Sequence, residues 1–185
     1  MTIYRNIKKY EHNNSEEALY DECHKKLYFT SLRILNNSMD AEEVMHDTLL
    51  TYFRKGMVFQ TVKERDNWLA RVCINLSIDR LRRYKSENLL INSKEIKSEE
   101  EDVDVYEEKS ESFSFKGVTV DQVKAAMNNL SAGYRLVLSL HLFEGFDYEE
   151  IAQITQLKEV SVRSQYIRGK ARLIEEIRRK RELSG

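Results

Sequence analysis

Between Lys158 and Arg181 the chain spaces its arginines for hydrogen bonding rather than for bond making. Arg163, Ser164, Ile167, Arg168 and Arg172 fall opposite a stripe of Val162, Tyr166, Gly169, Leu173 and Ile177, which recurs at steps of three and four. Guanidinium forks match guanine edges and phosphate oxygens, and an apolar side chain such as Ile167 matches a thymine methyl. A helix carrying this set suits the major groove of DNA, although the same pattern also describes an amphipathic helix with a solvated basic face. The element in front of it favours the first reading. Tyr148 to Thr155 reads as a helix capped by Asp147, with Glu150 completing a capping box, and a short turn at Gln156 and Leu157 leads into the basic helix. The two together have the outline of a helix-turn-helix.

A second group of polar side chains lies on the helix expected from Asp40, whose Asp-Ala-Glu-Glu start forms a capping box, to Lys55, with Gly56 as its stop. Val44, Met45, Leu49, Tyr52 and Phe53 supply its packing. Glu43, His46, Asp47 and Arg54 line the other flank beside Leu50, either as a solvated face or as a docking surface. After a loop over Met57 to Arg65, a third helix is expected from about Asp66. Its core phase is Leu69, Val72, Cys73 and Leu76, with Trp68 as a packing anchor. Its surface phase is Arg71, Asn75, Arg80, Arg82, Arg83 and Lys85, five cations and an amide suited to a phosphate backbone.

The scaffold implied is all-α. Prolines are absent and glycines number six, while helix formers fill long runs. The first helix is expected from Asn14 or Ser15, burying Leu19, Cys23, Leu27 and Ile34 before a break at Asn36, Asn37 and Ser38. The 30 basic and 31 acidic residues nearly cancel, but they are segregated along the chain. Lys158 to Arg181 holds nine Lys or Arg against three Glu, a net of +6; Ser86 to Lys116 holds four Lys against ten acids, a net of −6. The acidic, serine-containing stretch reads as a flexible linker with a relaxed span of about 30 Å. Two small helical domains follow, at 14–85 and 117–181, joined by the linker 86–116, with the helix-turn-helix in the second. Cys23 and Cys73 sit on apolar phases and are expected as buried free thiols of a reducing compartment. No stretch approaches the ~20 apolar residues of a membrane span, so a cytosolic protein is expected. Paired carboxylates, a nucleophile with its base, a phosphate-cradling glycine loop and a metal cluster are all missing from the pattern. No catalytic residue, metal or cofactor is therefore expected, and His141 lacks a second ligand at workable spacing.

In order, the segments YDECHKKLYFTSLRIL, DAEEVMHDTLLTYFRK, NWLARVCINLSIDRLRR and LSAGYRLVLSLHLFEGFDYEEIAQITQLKEVSVRSQYIRGKARL resemble the extracytoplasmic-function group of bacterial RNA polymerase sigma factors. The resemblance is carried by Trp68, Leu69, Arg71, Asn75, Asp79, Leu81, Arg82 and Arg83 in the first half. In the second half Leu130, Tyr134, Arg135, Tyr148 to Ala152 and Val162 to Ser164 carry it. The chain departs from the family pattern at Ser131 and Ala132, where a proline is usual, at Lys158 and Val160, and at Gln156, where the turn usually has glycine. If Gln156 takes φ above zero, it costs roughly 1 kcal/mol relative to glycine.

The resemblance implies a dissociable subunit that binds core RNA polymerase, brings it to promoter DNA and helps open the strands by capturing a flipped base. It implies that Glu43, His46, Asp47, Leu50 and Arg54 contact polymerase. The loop after Gly56 and the basic third helix would contact the proximal promoter element, and Arg163, Ser164, Ile167 and Arg168 the distal one. Many such proteins have an anti-sigma partner, and their linker follows the RNA exit path. Two other readings remain open: a helix-turn-helix regulator acting on duplex DNA without polymerase, and a helical protein-interaction module.

Overall fold

The computed structural model describes residues 2–91, 113–114 and 116–182, and among these it contains seven helices and no strand. They are α1 (Thr2–Leu35), α2 (Ser38–Lys55), α3 (Val62–Ile91), α4 (Val120–Met127), α5 (Ala132–Leu142), α6 (Tyr148–Thr155) and α7 (Glu159–Glu182). The chain divides into two compact units between Arg80 and Leu81. No helix among the described residues is long and apolar enough to cross a membrane.

In the first unit α1 lies along α2. The helix begins at Thr2 rather than at the expected Asn14 or Ser15, because no glycine or proline stands before its end and isolated Asn and Ser do not stop a helix. Leu19, Cys23, Leu27 and Ile34 are buried as expected. Asn36 closes α1 in the left-handed region (φ 56°), which asparagine tolerates better than most residues. The next helix starts one turn earlier than the Asp40 capping box suggested. Asn37 is the N-cap, its Oδ1 accepting from the amides of Met39 (2.9 Å) and Asp40 (3.2 Å). Gly56 ends α2 at φ 57°, as read from the sequence.

The third helix likewise starts before Asp66. Thr61 Oγ1 accepts from the Glu64 amide (3.2 Å) while Glu64 Oε2 accepts from the Gln60 amide (3.1 Å), so TVKE opens the helix at Val62 and brings Arg65 inside it. There Arg65 pairs with Glu22 of α1 (3.0 Å) and with Asp66 (2.8 Å), and these carboxylates hold its guanidinium well above its ordinary pKa. The Cys73 thiol donates to the Leu27 carbonyl (3.3 Å), a second tie between α3 and α1. Both cysteines are buried and free, and burial pushes the Cys23 thiol pKa up. The buried face of α3 is broader than its predicted core phase: Ile74, Ser77 and Ile78 are buried, whereas Val72 and Leu76 are half-buried. The helix also runs on to Ile91, so 86–91, expected as linker, are helical. The remaining linker residues, 92–112 and 115, lie outside the described residues, as does the acidic run at Glu99 to Glu111.

In the second unit Thr119 and Gln122 form a reciprocal capping box that starts α4. Ala126, Met127, Leu130, Leu138, Leu173 and Ile177 form the core, with Phe113 and Tyr166 packed against it. Arg135 is buried and its Nη1 donates to the Leu130 carbonyl (2.7 Å), closing the turn into α5; burial lowers its pKa. Asp147 and Glu150 form the expected capping box of α6. Gln156 does adopt the left-handed conformation (φ 60°, ψ 30°).

Two stability predictions follow from these features. Gln156→Gly relieves the left-handed cost and is expected to stabilise the second unit by roughly 0.5 kcal/mol, somewhat less than the strain because glycine also loosens the unfolded chain. Slower amide exchange in α6 and α7 is the readout, and unchanged or faster exchange contradicts it. In the first unit, Asp40 is buried and lies 3.4 Å from Arg80 Nη1. Asp40→Ala is expected to cost about 1 to 3 kcal/mol, since it leaves a largely enclosed cation without that partner, against less than about 0.5 kcal/mol for Glu43→Ala at the exposed end. Urea unfolding followed by Trp68, the sole tryptophan, separates the two.

Candidate nucleic-acid interface

The candidate recognition face lies on α7, behind the capped helix α6. The apolar stripe of α7 is turned inward: Val162, Gly169, Leu173 and Ile177 are buried and Tyr166 is half-buried. At Gly169 a Cβ would meet Tyr134 Cβ at 3.1 Å and Leu138 Cδ1 at 3.3 Å, so α5 and α7 cross where there is no side chain. That contact fixes which side of α7 faces out. Arg163 is exposed on it, with Ser164, Ile167 and Arg168 half-buried beside it. Arg163 Nη2 lies 3.5 Å from Glu159 Oε1, and its guanidinium carbon is 5.4 Å from the Tyr148 ring centroid. Arg172 lies further round the helix, four residues from Arg168 and on the same side as it. Nine residues from Arg163 place it about half a turn round the helix, where it pairs with Glu175 (3.1 Å).

The α3 set divides in the same way. Arg71, Asn75, Arg82, Arg83 and Lys85 are exposed. Arg80, nine residues from Arg71 and again about half a turn away, belongs to the buried side. Its guanidinium bridges Asp40 and Glu43 of α2, so the structure makes it a staple between α2 and α3 and not a member of the exposed row. Arg82 Nη2 donates to the Thr155 carbonyl (3.1 Å) and lies 3.3 Å from Gln156 Oε1, all three residues belonging to the second unit. Trp68 packs with Tyr52 and Phe59 (centroids 6.1 and 5.9 Å), and Lys55 Nζ lies 5.9 Å from its ring. The Met57–Val58 stretch beyond Gly56 is exposed.

On α2, Glu43, His46, Asp47, Leu50 and Arg54 are all exposed on one helix, and Leu50 keeps 46% of its surface in water. Glu43, His46 and Asp47 line a shallow depression together with Met39 and Glu42. Sequence reasoning missed those two, although they stand four residues before Glu43 and His46 and so share their face. His46 Nε2 is 3.9 Å from Glu42 Oε1, and Tyr20 of α1 stacks near both His24 (4.7 Å) and His46 (6.1 Å). Among the described residues no group of three or more His, Cys, Asp or Glu could hold a metal ion. His141 has another place: its Nδ1 lies 2.8 Å from the Phe146 carbonyl, and its ring packs against Tyr148 and Tyr166.

This geometry can read a duplex by hydrogen bonding and dock a protein through a mixed acidic and apolar helix flank. The family model for sigma-70 region 2 matches residues 19–87, that for sigma-70 region 4 matches residues 121–173, and together they cover well over half of the chain. The chain is 26% identical over 148 residues to the ECF RNA polymerase sigma factor SigE of Mycolicibacterium smegmatis, covering 80% of this chain but only 56% of that protein. It is 26% identical over 157 residues to SigL of Mycobacterium tuberculosis, covering 80% of each. The fold resembles that of the sigma factor RpoE from Bartonella quintana, solved in complex with the anti-sigma factor NepR, with a TM-score of 0.55, 21% identity, and coverage of 88% of this chain and 96% of that one. A region 2 and a region 4 in family order, on an all-helical scaffold, place the chain in the extracytoplasmic-function group of bacterial RNA polymerase sigma factors.

Proposed function

We propose that this chain is the specificity subunit of a bacterial RNA polymerase: it binds core enzyme, directs it to particular promoters, helps open the DNA and dissociates, with no chemistry of its own. The observation that supports this best is the coexistence in one chain of an exposed basic face on the helix behind the capped α6 and an exposed acidic and apolar flank on α2. A regulator acting on duplex DNA alone has use for the first and none for the second. We place the functional division as a region 2 module over 14–85 and a region 4 module over 117–181, working in the cytoplasm. By analogy with the complex of RpoE and NepR, an anti-sigma factor is a further partner.

In this reading Glu43, His46, Asp47, Leu50 and Arg54 form the polymerase face, extended by Met39 and Glu42. Arg71, Asn75, Arg82, Arg83 and Lys85, with the loop after Gly56, approach the proximal element. Arg163, Ser164, Ile167 and Arg168 read the distal element, and Arg172 contacts phosphate. The decisive experiment is transcription from genomic fragments by bacterial core polymerase with and without the protein. Promoter-specific transcripts that require the protein support the reading, and their absence overturns it.

Two variants divide the two activities. Asp47→Ala removes an exposed carboxylate, so stability should change by less than ~0.5 kcal/mol while capture of core polymerase falls. Equal capture by variant and wild type means that this face is not the docking surface. Arg163→Ala and Arg168→Ala should leave polymerase capture intact and lose promoter selection, since a bidentate base contact carries about 1 to 3 kcal/mol of discrimination. Footprinting in competition with scrambled distal elements reads this; unchanged selection in both variants removes the base-reading role of α7.

A further inference from the structure

Three aromatic rings from three helices meet directly behind Arg163. His141 of α5 stacks on Tyr148 of α6 (centroids 4.9 Å, planes 25° apart) and meets Tyr166 of α7 edge to face (4.8 Å, 78°). Tyr148 and Tyr166 close the triangle at 5.4 Å. The arrangement is fixed from below. The Phe146 carbonyl only accepts, so the hydrogen on His141 Nδ1 points to it across 2.8 Å, which ties the ring to the loop entering α6. Tyr148 follows the capping residue Asp147, so its backbone is held by the capping box. On this platform rests the Arg163 guanidinium, 5.4 Å from the Tyr148 centroid and within cation–π range.

We propose that Tyr148, supported by His141 and Tyr166, is a positioning residue that aims Arg163 and thereby sets base specificity at one position of the distal element. This rests on the reading of Arg163 as a base contact. An arginine free to swing over an exposed helix finds any phosphate within reach, whereas one whose fork is held in place pairs with a particular base edge. Its other hold, the exposed pair with Glu159 at 3.5 Å, is weak, and phosphates brought close by the duplex repel that carboxylate and compete for Arg163. The ring carries no charge and remains. Preorganisation of this kind improves discrimination without adding a contact to DNA.

The test uses the full chain bound to bacterial core polymerase and a promoter library with its upstream stretch randomised, reading the base frequencies selected at each position. Arg163→Ala should flatten one base pair. Tyr148→Leu should reduce discrimination at that same base pair by roughly two- to tenfold and leave the other positions alone, and Tyr148→Phe, which keeps the ring, should restore it. In the Arg163→Ala background Tyr148→Leu should have no additional effect. Uniform loss across positions, or further loss in the Arg163→Ala background, makes Tyr148 a packing residue and overturns the proposal while Arg163 keeps its role. If Arg163→Ala changes no position, the base contact itself fails and the platform falls with it. A measurement on the unmodified protein covers the case in which Tyr148→Leu does not fold. The Arg163 side-chain proton resonances should be displaced upfield by the Tyr148 ring relative to those of Arg172, and coincidence of the two sets overturns the proposal.

Discussion

The crossing of α5 and α7 at Gly169 is the contact on which the second unit depends. With Tyr134 Cβ and Leu138 Cδ1 inside 3.4 Å of where a side chain would begin, the two helices approach at a distance that only a missing Cβ allows without displacement. Several consequences follow from that single approach. Leu138 reaches the cluster of Leu173 and Ile177; Tyr166, three residues before the crossing, is drawn under α6; and the face bearing Arg163 can only point away. A rotation of α7 by one residue, about 100°, would bury charge and expose the stripe, so core packing and the direction of the Arg163 face are one constraint.

The charged residues sort by whether they serve the fold or are left for binding. Arg65, Arg80 and Arg135 are engaged internally: Arg65 with Glu22 and Asp66, Arg80 with Asp40 and Glu43, Arg135 with the Leu130 carbonyl. Each lies on the buried side of its element and connects two parts of the chain, a role that suits arginine because its planar fork can serve two acceptors at once. Arg71, Arg83, Lys85 and Arg163 lie exposed, where charge contributes little to stability and is therefore available for a partner without weakening the fold. Glu43 belongs to both groups, being exposed and yet paired with Arg80, so a protein partner that recruits its carboxylate must compete with α3 for it.

Most of the architecture was legible in the sequence where a side chain acts on its own neighbours. The Asp147–Glu150 box, the Gly56 stop, the Gln156 turn and the inward stripe of α7 all follow from interactions spanning no more than a few residues. Helix starts were misread where two candidates competed: Asp40 looks like a cap until Asn37, three residues earlier, takes the amides and leaves Asp40 for a partner forty residues away. Thr61 and Glu64 carried a readable signal for the start of α3, whereas the extension of α1 to Thr2 carried none beyond the absence of a breaker. Among the site residues, treating each helix as having one polar side grouped Arg80 with Arg71 and Arg172 with Arg163. In both pairs the nine-residue spacing puts the later arginine about half a turn away, which takes Arg80 to the α2 side of α3 but leaves Arg172 beside Arg168, a distinction that the helical repeat contains but a list of basic residues does not.

What remains invisible to local pattern is how the chain handles charge as a whole. A net of −1 over 185 residues gives DNA no long-range reason to attract this protein, and the attraction rests on local excesses such as the +6 of Lys158 to Arg181 and the basic residues of α3. That attraction is short in reach, screened beyond about 8 to 10 Å at physiological salt. Each phosphate neutralised also weakens the dependence of binding on sequence relative to its dependence on salt, because counterion release rewards every duplex alike. A chain of near-zero net charge is thus suited to discriminating between sequences once something else has brought it to the duplex. Under the proposed function, that something else is core polymerase.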